Sequence, residues 1–361
     1  MDAMGIYDPV TLDQVPAVNE LLSRLGLGKL ADGDVTAHVG RNDSWAGRTS
    51  SGADVFVKLI GDTDGGATAR LRRVRDFDAA ARRAGVPSPP LLGFDEAAGL
   101  VVHALLPDSR TGAELAKDDE FTDEHAAEVG RMIARLHALP AEAAPDLSPP
   151  DHPMMSLLDA LPLPLFLSLN AAELRFWGIL QADGELAAAL RRLRDLERAA
   201  PARPAHCDLR LDQLLWWDGG LYLTDGEEFR LADPARDIGG FAGEWLHRAV
   251  MGMAGVGEDD GPRYEPSHEE IVARGAAGVE RLRPRVEAFW AAYRSASGPV
   301  EPDLAVRATA FAGWHLIERA GAVASRSTRL SALARAAMGI GRTALLAPER
   351  FVTTVGLGGG R

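Results

Sequence analysis

The densest run of chemistry-bearing residues in this chain of 361 is His206-Cys207-Asp208-Leu209-Arg210-Leu211-Asp212-Gln213. Leu214-Leu215-Trp216-Trp217 follows at once, then Asp218-Gly219-Gly220, then Leu221-Tyr222-Leu223-Thr224. Asp-Gly between apolar stretches predicts a tight hairpin. Asp225-Gly226 closes it, 17 residues after Asp208, so the ribbon returns both carboxylates to the same end. Two carboxylates so placed can divide their labour. One faces an acceptor hydroxyl, and the other holds Mg²⁺, a hard cation that prefers oxygen ligands. Moving a phosphoryl group between oxygens needs little more than positioning, a metal and such a carboxylate. A lone His-x-Asp is common in surface loops; the ordered set with its hairpin carries the reading.

A cation for the phosphates stands upstream. Lys58 lies inside the apolar run Ala53–Ile60, where a charge is costly unless paired. Asp78, 20 residues on, is its expected carboxylate brace on the following helix. The polar turn that opens at Gly40 would lie over the phosphates, with backbone N–H groups around Gly40 and Asn42 and the Ser44 hydroxyl available to hold them.

These residues require a particular scaffold. Apolar spacing predicts a helix over 13–30 and another over 66–84, with Leu71, Val74, Phe77 and Ala80 inward. Strands are expected at Asp34–Val39, Trp45–Thr49, Ala53–Ile60, Pro90–Phe94 and Leu100–Leu106. Residues 30–106 thus read as a five-stranded antiparallel sheet with one helix inserted after the third strand. Beyond Pro107 the periodicity is helical: Phe121–Leu139, 170–199, 236–250, 267–296 and 301–346, with a Pro- and Ala-rich connector at Pro140–Pro153. The expectation is an α+β fold of two lobes, 1–106 for nucleotide phosphates and 107–361, mainly helical, for the catalytic loop, metal and acceptor.

Composition narrows the options. A hydrophobic content of 46% and a charged content of 25% suit a folded globular chain. A net charge of −13 argues against general nucleic-acid binding, which needs Lys and Arg on phosphates. The single cysteine, Cys207, cannot form an internal disulfide or a structural zinc site; beside the candidate base it reads as a small buried filler. His315, on an apolar helix, reads as a hydrogen-bonded core residue. The most apolar stretch, Leu157–Leu169, is broken by Asp159, Pro162 and Pro164, so no membrane span is expected. Without a secretion signal at the start, the cytoplasm is the expected compartment.

The loop 206–213, Asp225-Gly226-Glu227, Asp233-Pro234-Ala235-Arg236-Asp237 and Arg135-Leu136-His137 resemble the aminoglycoside-phosphotransferase-like branch of the kinase superfamily. The resemblance spans roughly residues 34–250. It implies a bilobal protein-kinase-like fold and an ATP- and Mg²⁺-dependent transfer to an alcohol. It implies Asp208 as catalytic base, Asp225 and Gln213 as metal ligands, Asp237 as a brace of the catalytic loop and His206 packed beneath it. Ala104 and Leu106 would offer backbone groups to adenine, and Arg210 would stabilise charge on the moving phosphoryl group. Two positions depart from the pattern: Gln213 stands for the usual Asn, and Asp78 for the usual Glu.

A finer resemblance lies in Val39–Gly47, Val55–Lys58 and Trp314–Arg319, which are similar to kinase subunits of class V lanthipeptide pathways. It implies phosphorylation of Ser or Thr in a precursor peptide, with separate lyase and cyclase subunits as partners. An aminoglycoside, another antibiotic or an amino alcohol is the alternative acceptor. A pseudokinase scaffold is a third reading, motivated by Gln213 and Asp78.

Overall fold

The structure is a computed structural model, and it describes residues 10–31, 33, 35–38, 42–61, 65–254 and 267–358. Helix α1 (Ala17–Arg24) precedes strands β1 (Val35–His38), β2 (Asp43–Arg48) and β3 (Asp54–Leu59). Helix α2 (Ala67–Ala84) intervenes before β4 (Leu91–Asp95) and β5 (Leu100–Ala104). The five strands form one antiparallel sheet in the order β1-β2-β3-β5-β4.

Alternation along the strands explains what covers each face. Val55, Val57, Leu100 and Val102 pack with Val18, Leu21 and Leu22 of α1. On the other face, Val101 packs with Leu71 and Val74 of α2. Lys58 is paired in register with Val101, and Phe56 with His103, so the lysine shares the α2 face. The second half of α2 belongs elsewhere: Phe77, Ala80 and Ala81 join the core of the helical lobe. Arg73 reinforces that attachment, 2.5 Å from Asp146 and 3.5 Å from Glu228.

The helical lobe begins with β6 (Arg110–Thr111), α3 (Gly112–Lys117) and α4 (Asp123–His137). Then come α5 (Met155–Asp159), α6 (Leu163–Ser168), α7 (Ala171–Ala182) and α8 (Gly184–Ala199). Strands β7 (Arg203–Ala205), β8 (Leu214–Trp217), β9 (Gly220–Leu223) and β10 (Arg230–Ala232) frame the loop 206–213. The chain finishes with α9 (Ala235–Met251), α10 (His268–Ser297), α11 (Leu304–Ser325), α12 (Ala332–Leu346) and α13 (Val352–Val355). No helix among the described residues is long and apolar enough to cross a membrane.

The β8–β9 hairpin forms as its turn residues predict, pairing Leu214 with Leu223 and Trp217 with Gly220. Other boundaries move. The helix expected over 13–30 shortens to α1, because Gly26 and Gly28 take positive φ of 72° and 80°. The stretch 170–199 divides at Asp183, which caps α8 by accepting from Leu186 N. The stretch 301–346 divides likewise between α11 and α12, where Ser331 caps the second helix. Strand β2 starts two residues earlier than expected, and Asp34 and Val39, the ends of the first expected strand, lie outside the described residues.

Candidate active site

The loop 206–213 is fixed from below by Asp237, in the first turn of α9 and fully buried. Asp237 Oδ2 accepts from His206 N at 2.8 Å and Oδ1 from Cys207 N at 2.7 Å. His137 Nε2, at the end of α4, lies 2.9 Å from Oδ2, and its Nδ1 lies 3.0 Å from the Tyr293 hydroxyl of α10. Burial opposes the charge on Asp237, but His137 and the loop amides outweigh it and its pKa is lowered. The brace matters because Cys207 has φ 65°, a left-handed conformation unusual outside glycine. His206 extends the tie upward, its Nε2 2.8 Å from Thr224 O, with Phe77 against its ring.

Above this base the loop presents Asp208, whose side chain is 31% exposed and 3.0 Å from Arg210 Nε. Burial first, and the charges of Asp225 and Glu318 next, push the Asp208 carboxyl well above its ordinary range against the pull of Arg210. Asp225, at the end of the hairpin, has φ 61°. Gly226 beside it is required by packing, since a Cβ there would lie 2.2 Å from Phe77 Cγ. Lys58 Nζ reaches across from β3 to Asp225 Oδ1 at 2.6 Å and to Glu227 Oε2 at 3.4 Å. Burial disfavours the ammonium, yet these two carboxylates prevail and its pKa is raised.

Two cavities meet here. One, of about 450 Å³, lies between sheet and helical lobe, lined by Phe56, His103, Ala104 and Leu106 above and by Gln213, Leu215 and Leu223 below. His103 is held neutral by burial, its pKa lowered to about 4. The other, of about 580 Å³, opens outward between the segment Pro150–Met154 and helix α11, with Asp208 and Arg210 on its floor. Lys58, Asp212 and Asp225 line both.

Most residues expected at the site converge on this junction. Asn42 and Ser44 line the outer cavity, and Asn42 Nδ2 donates to Glu227 at 3.1 Å. Gln213 borders the inner cavity and is tied to the hairpin through Thr224 N, which donates to its carbonyl at 2.9 Å. Ala104 and Leu106 line the inner cavity; the Ala104 amide is already committed to Pro90 O at 2.9 Å. Gly40 lies outside the described residues.

Asp78 is the correction. It borders the inner cavity, but it pairs with Arg82 at 2.6 Å and accepts from Leu91 N at 3.3 Å. An arginine one turn away on the same helix claims the shorter carboxylate, and Lys58 takes Asp225 and Glu227 instead. Sequence reasoning missed Glu227, which joins the phosphate-side turn to the lysine; the only signal was its place two residues after Asp225. It also missed Glu244, which holds buried His315 at 2.7 Å and accepts from Leu211 N at 3.4 Å, a second support of the loop.

The arrangement has the parts for phosphoryl transfer. A carboxylate with a raised pKa is a better proton acceptor than a free one, and Asp208 faces the open cavity. Lys58 supplies a fixed positive charge where the cavities meet. The donor set also suits a hard divalent ion: Asp225 and Gln213 offer oxygens and leave room for phosphate and water, the usual way Mg²⁺ is held. Bound there, the metal would neutralise phosphate charge.

Comparisons with known proteins place this geometry. The chain matches the phosphotransferase enzyme family over residues 38–295. No curated protein matches it. Among solved structures, an amicoumacin kinase in complex with AMP-PNP, Ca²⁺ and Ami aligns at TM-score 0.58 and 13% identity, covering 93% of this chain and 96% of that one. A choline/ethanolamine kinase family protein from Mesorhizobium loti aligns at TM-score 0.54 and 16% identity, covering 97% and 100%. A macrolide 2'-phosphotransferase from Brachybacterium faecium aligns at TM-score 0.51 and 19% identity, covering 93% and 98%. At these identities the likeness is one of fold, a sheet lobe over a helical lobe. With the family match spanning most of the sequence, the chain belongs to the phosphotransferase enzyme family.

Proposed function

We propose that this phosphotransferase moves the γ-phosphoryl group of ATP, bound with Mg²⁺ in the inner cavity, to a hydroxyl of a small molecule in the outer one. The observation that carries this is the meeting of the two cavities at Lys58, Asp225 and Asp212, with Asp208 in the outer cavity. An alcohol beside Asp208 would pass its proton to that carboxylate as it attacks the phosphorus. The named neighbours, kinases of amicoumacin and of choline or ethanolamine, support a small acceptor, and a cavity of about 580 Å³ suits one. ATP as donor implies the cytoplasm.

A peptide acceptor is the second reading, favoured by one observation. Helix α6 exposes Leu163, Phe166 and Leu167, close before Asn170, whose side chain donates to Ala324 O at 3.0 Å on the helix that walls the outer cavity. That apolar surface would suit a precursor peptide delivering a Ser or Thr to Asp208, as in lanthipeptide pathways with separate lyase and cyclase subunits. The test is mass spectrometry after incubation with Mg²⁺-ATP and hydroxy acids, amino alcohols, aminoglycosides, macrolides or precursor peptides. A phosphate adduct on a small acceptor, lost in Asp208→Ala, is the expected result. Adducts on peptides alone would favour the second reading. ATP binding without turnover, indifferent to Asp208→Ala, would leave only a pseudokinase scaffold.

A further inference from the structure

Five Lys and Arg side chains line the outer cavity, and their partners divide them into two groups. Lys58 is tied to Asp225, Arg210 to Asp208, and Arg236 to Glu197. Arg319 and Arg326 are not so engaged. Arg319 approaches Glu244 only to 3.9 Å, and that carboxylate already accepts from His315 at 2.7 Å. Arg326, at the end of α11, has no carboxylate partner among the described residues. Both line the cavity, Arg319 from within α11 and Arg326 from the residue that ends it. Of the carboxylates that line the cavity, Asp208, Asp212, Asp225, Glu227 and Glu228 lie toward its junction with the inner one, and Asp151 and Glu318 face the arginines, Glu318 3.8 Å from His152.

We propose that Arg319 and Arg326 form an anion subsite, so that the phosphate acceptor is a hydroxyl compound also carrying a carboxylate or phosphate. The inference rests on the outer cavity being the acceptor site. An arginine fork with no protein carboxylate at hydrogen-bond distance matches a planar carboxylate or a phosphate. A polycation such as an aminoglycoside would instead meet two like charges at this wall. Asp151 and Glu318 leave room for a single ammonium on the same acceptor. The two arginines thus act on specificity, and Asp208 and Lys58 on the reaction.

The test separates this subsite from the kinase reading. With the nucleotide site filled by Mg²⁺-AMP-PNP, inorganic phosphate and succinate are titrated calorimetrically into the wild type and into Arg319→Ala/Arg326→Ala. One anion should bind the wild type, and the double variant should bind it roughly tenfold more weakly or worse, as expected for a lost charge-assisted hydrogen bond. AMP-PNP affinity should be the same in both. Absence of anion binding to the nucleotide-loaded wild type, or equal binding to both proteins, overturns the proposal while leaving the kinase reading intact. Failure of AMP-PNP to bind would instead refute the kinase reading. Transfer assays add a second arm: hydroxy acids should be preferred over choline, ethanolamine and kanamycin, with KM rather than kcat responding to the double substitution. Efficient phosphorylation of kanamycin or choline, unchanged or improved without the arginines, would also overturn the proposal.

Discussion

Replacing Asp237 by Asn isolates the brace beneath the catalytic loop, because it keeps the side chain's volume and removes its charge. Three donors converge on this carboxylate: His206 N and His137 Nε2 on Oδ2, and Cys207 N on Oδ1. An Asn oxygen can serve either the first two or the third. In the better orientation its NH₂ group faces the Cys207 N–H, so one hydrogen bond to a charged acceptor is lost and one buried donor is orphaned. Those terms are about 1.5–3 and 1–3 kcal/mol, together roughly 2.5–6 kcal/mol. A domain with about 5–15 kcal/mol of stability remains folded but is visibly weakened. The left-handed Cys207 backbone (φ 65°) loses its anchor, so Asp208 shifts. A displacement on the order of 1 Å costs roughly 10²-fold in rate.

Urea denaturation followed by circular dichroism gives the first number, and steady-state kcat with Mg²⁺-ATP gives the second. The sign with pH is fixed. The folded-state pKa of Asp237 is lowered, so its contribution is complete above the ordinary value of 3.8 and is lost as pH falls through the still lower folded value. Acid unfolding of Asp237→Asn should therefore be less steep than that of the wild type, with no difference in slope between about pH 6 and 8. A variant within about 1 kcal/mol of the wild type and with full kcat would refute the assignment of Asp237 as the brace.

Three further outcomes are expected. Asp208→Asn should lower kcat by about 10²–10⁴ with ATP affinity held, and the wild-type rate should fall on acidification at a pH above the usual carboxylate range, since the Asp208 pKa is raised; a pH-independent rate would contradict that base. Gly226→Ala should destabilise by about 1–3 kcal/mol through overpacking against Phe77. Adding Phe77→Leu should relieve part of that loss, and a purely additive double mutant would show that the contact is absent. Gln213→Ala should raise the Mg²⁺ concentration for half-maximal rate roughly tenfold, read from magnesium titrations at fixed ATP; an unchanged titration removes Gln213 from the metal site.

The parts legible in the sequence were those encoded locally. The β8–β9 turn, the alternation of β3 and the three- and four-residue spacing of α2 each reside within a few consecutive residues. The junction of Lys58 with Asp225 was less legible, because it depends on how the lobes meet. Sequence separation pointed Lys58 to Asp78, a helix carboxylate at a familiar distance, yet Arg82 lies one turn along and captures it. The roles of Glu227 and Glu244 were illegible for a similar reason. Their partners, Asn42, Lys58 and His315, lie on distant elements, and a buried Glu looks like any surface Glu until its surroundings fold. Short strands such as β7 and β10 carry too few residues to show a period, and they exist by pairing with one another.

Helix α2 enters the chain between strands of the sheet, yet from its middle onward it is built into the other lobe, through the Arg73 pair with Asp146 and then Phe77, Ala80 and Ala81. Cooperative unfolding follows packing and not chain order. Amide exchange along α2 should therefore be graded, with Arg73 to Ala84 protected to the level of the helical lobe and Ala67 to Arg72 released whenever the sheet opens. The packing of Gly226 against Phe77 stays assembled through such openings.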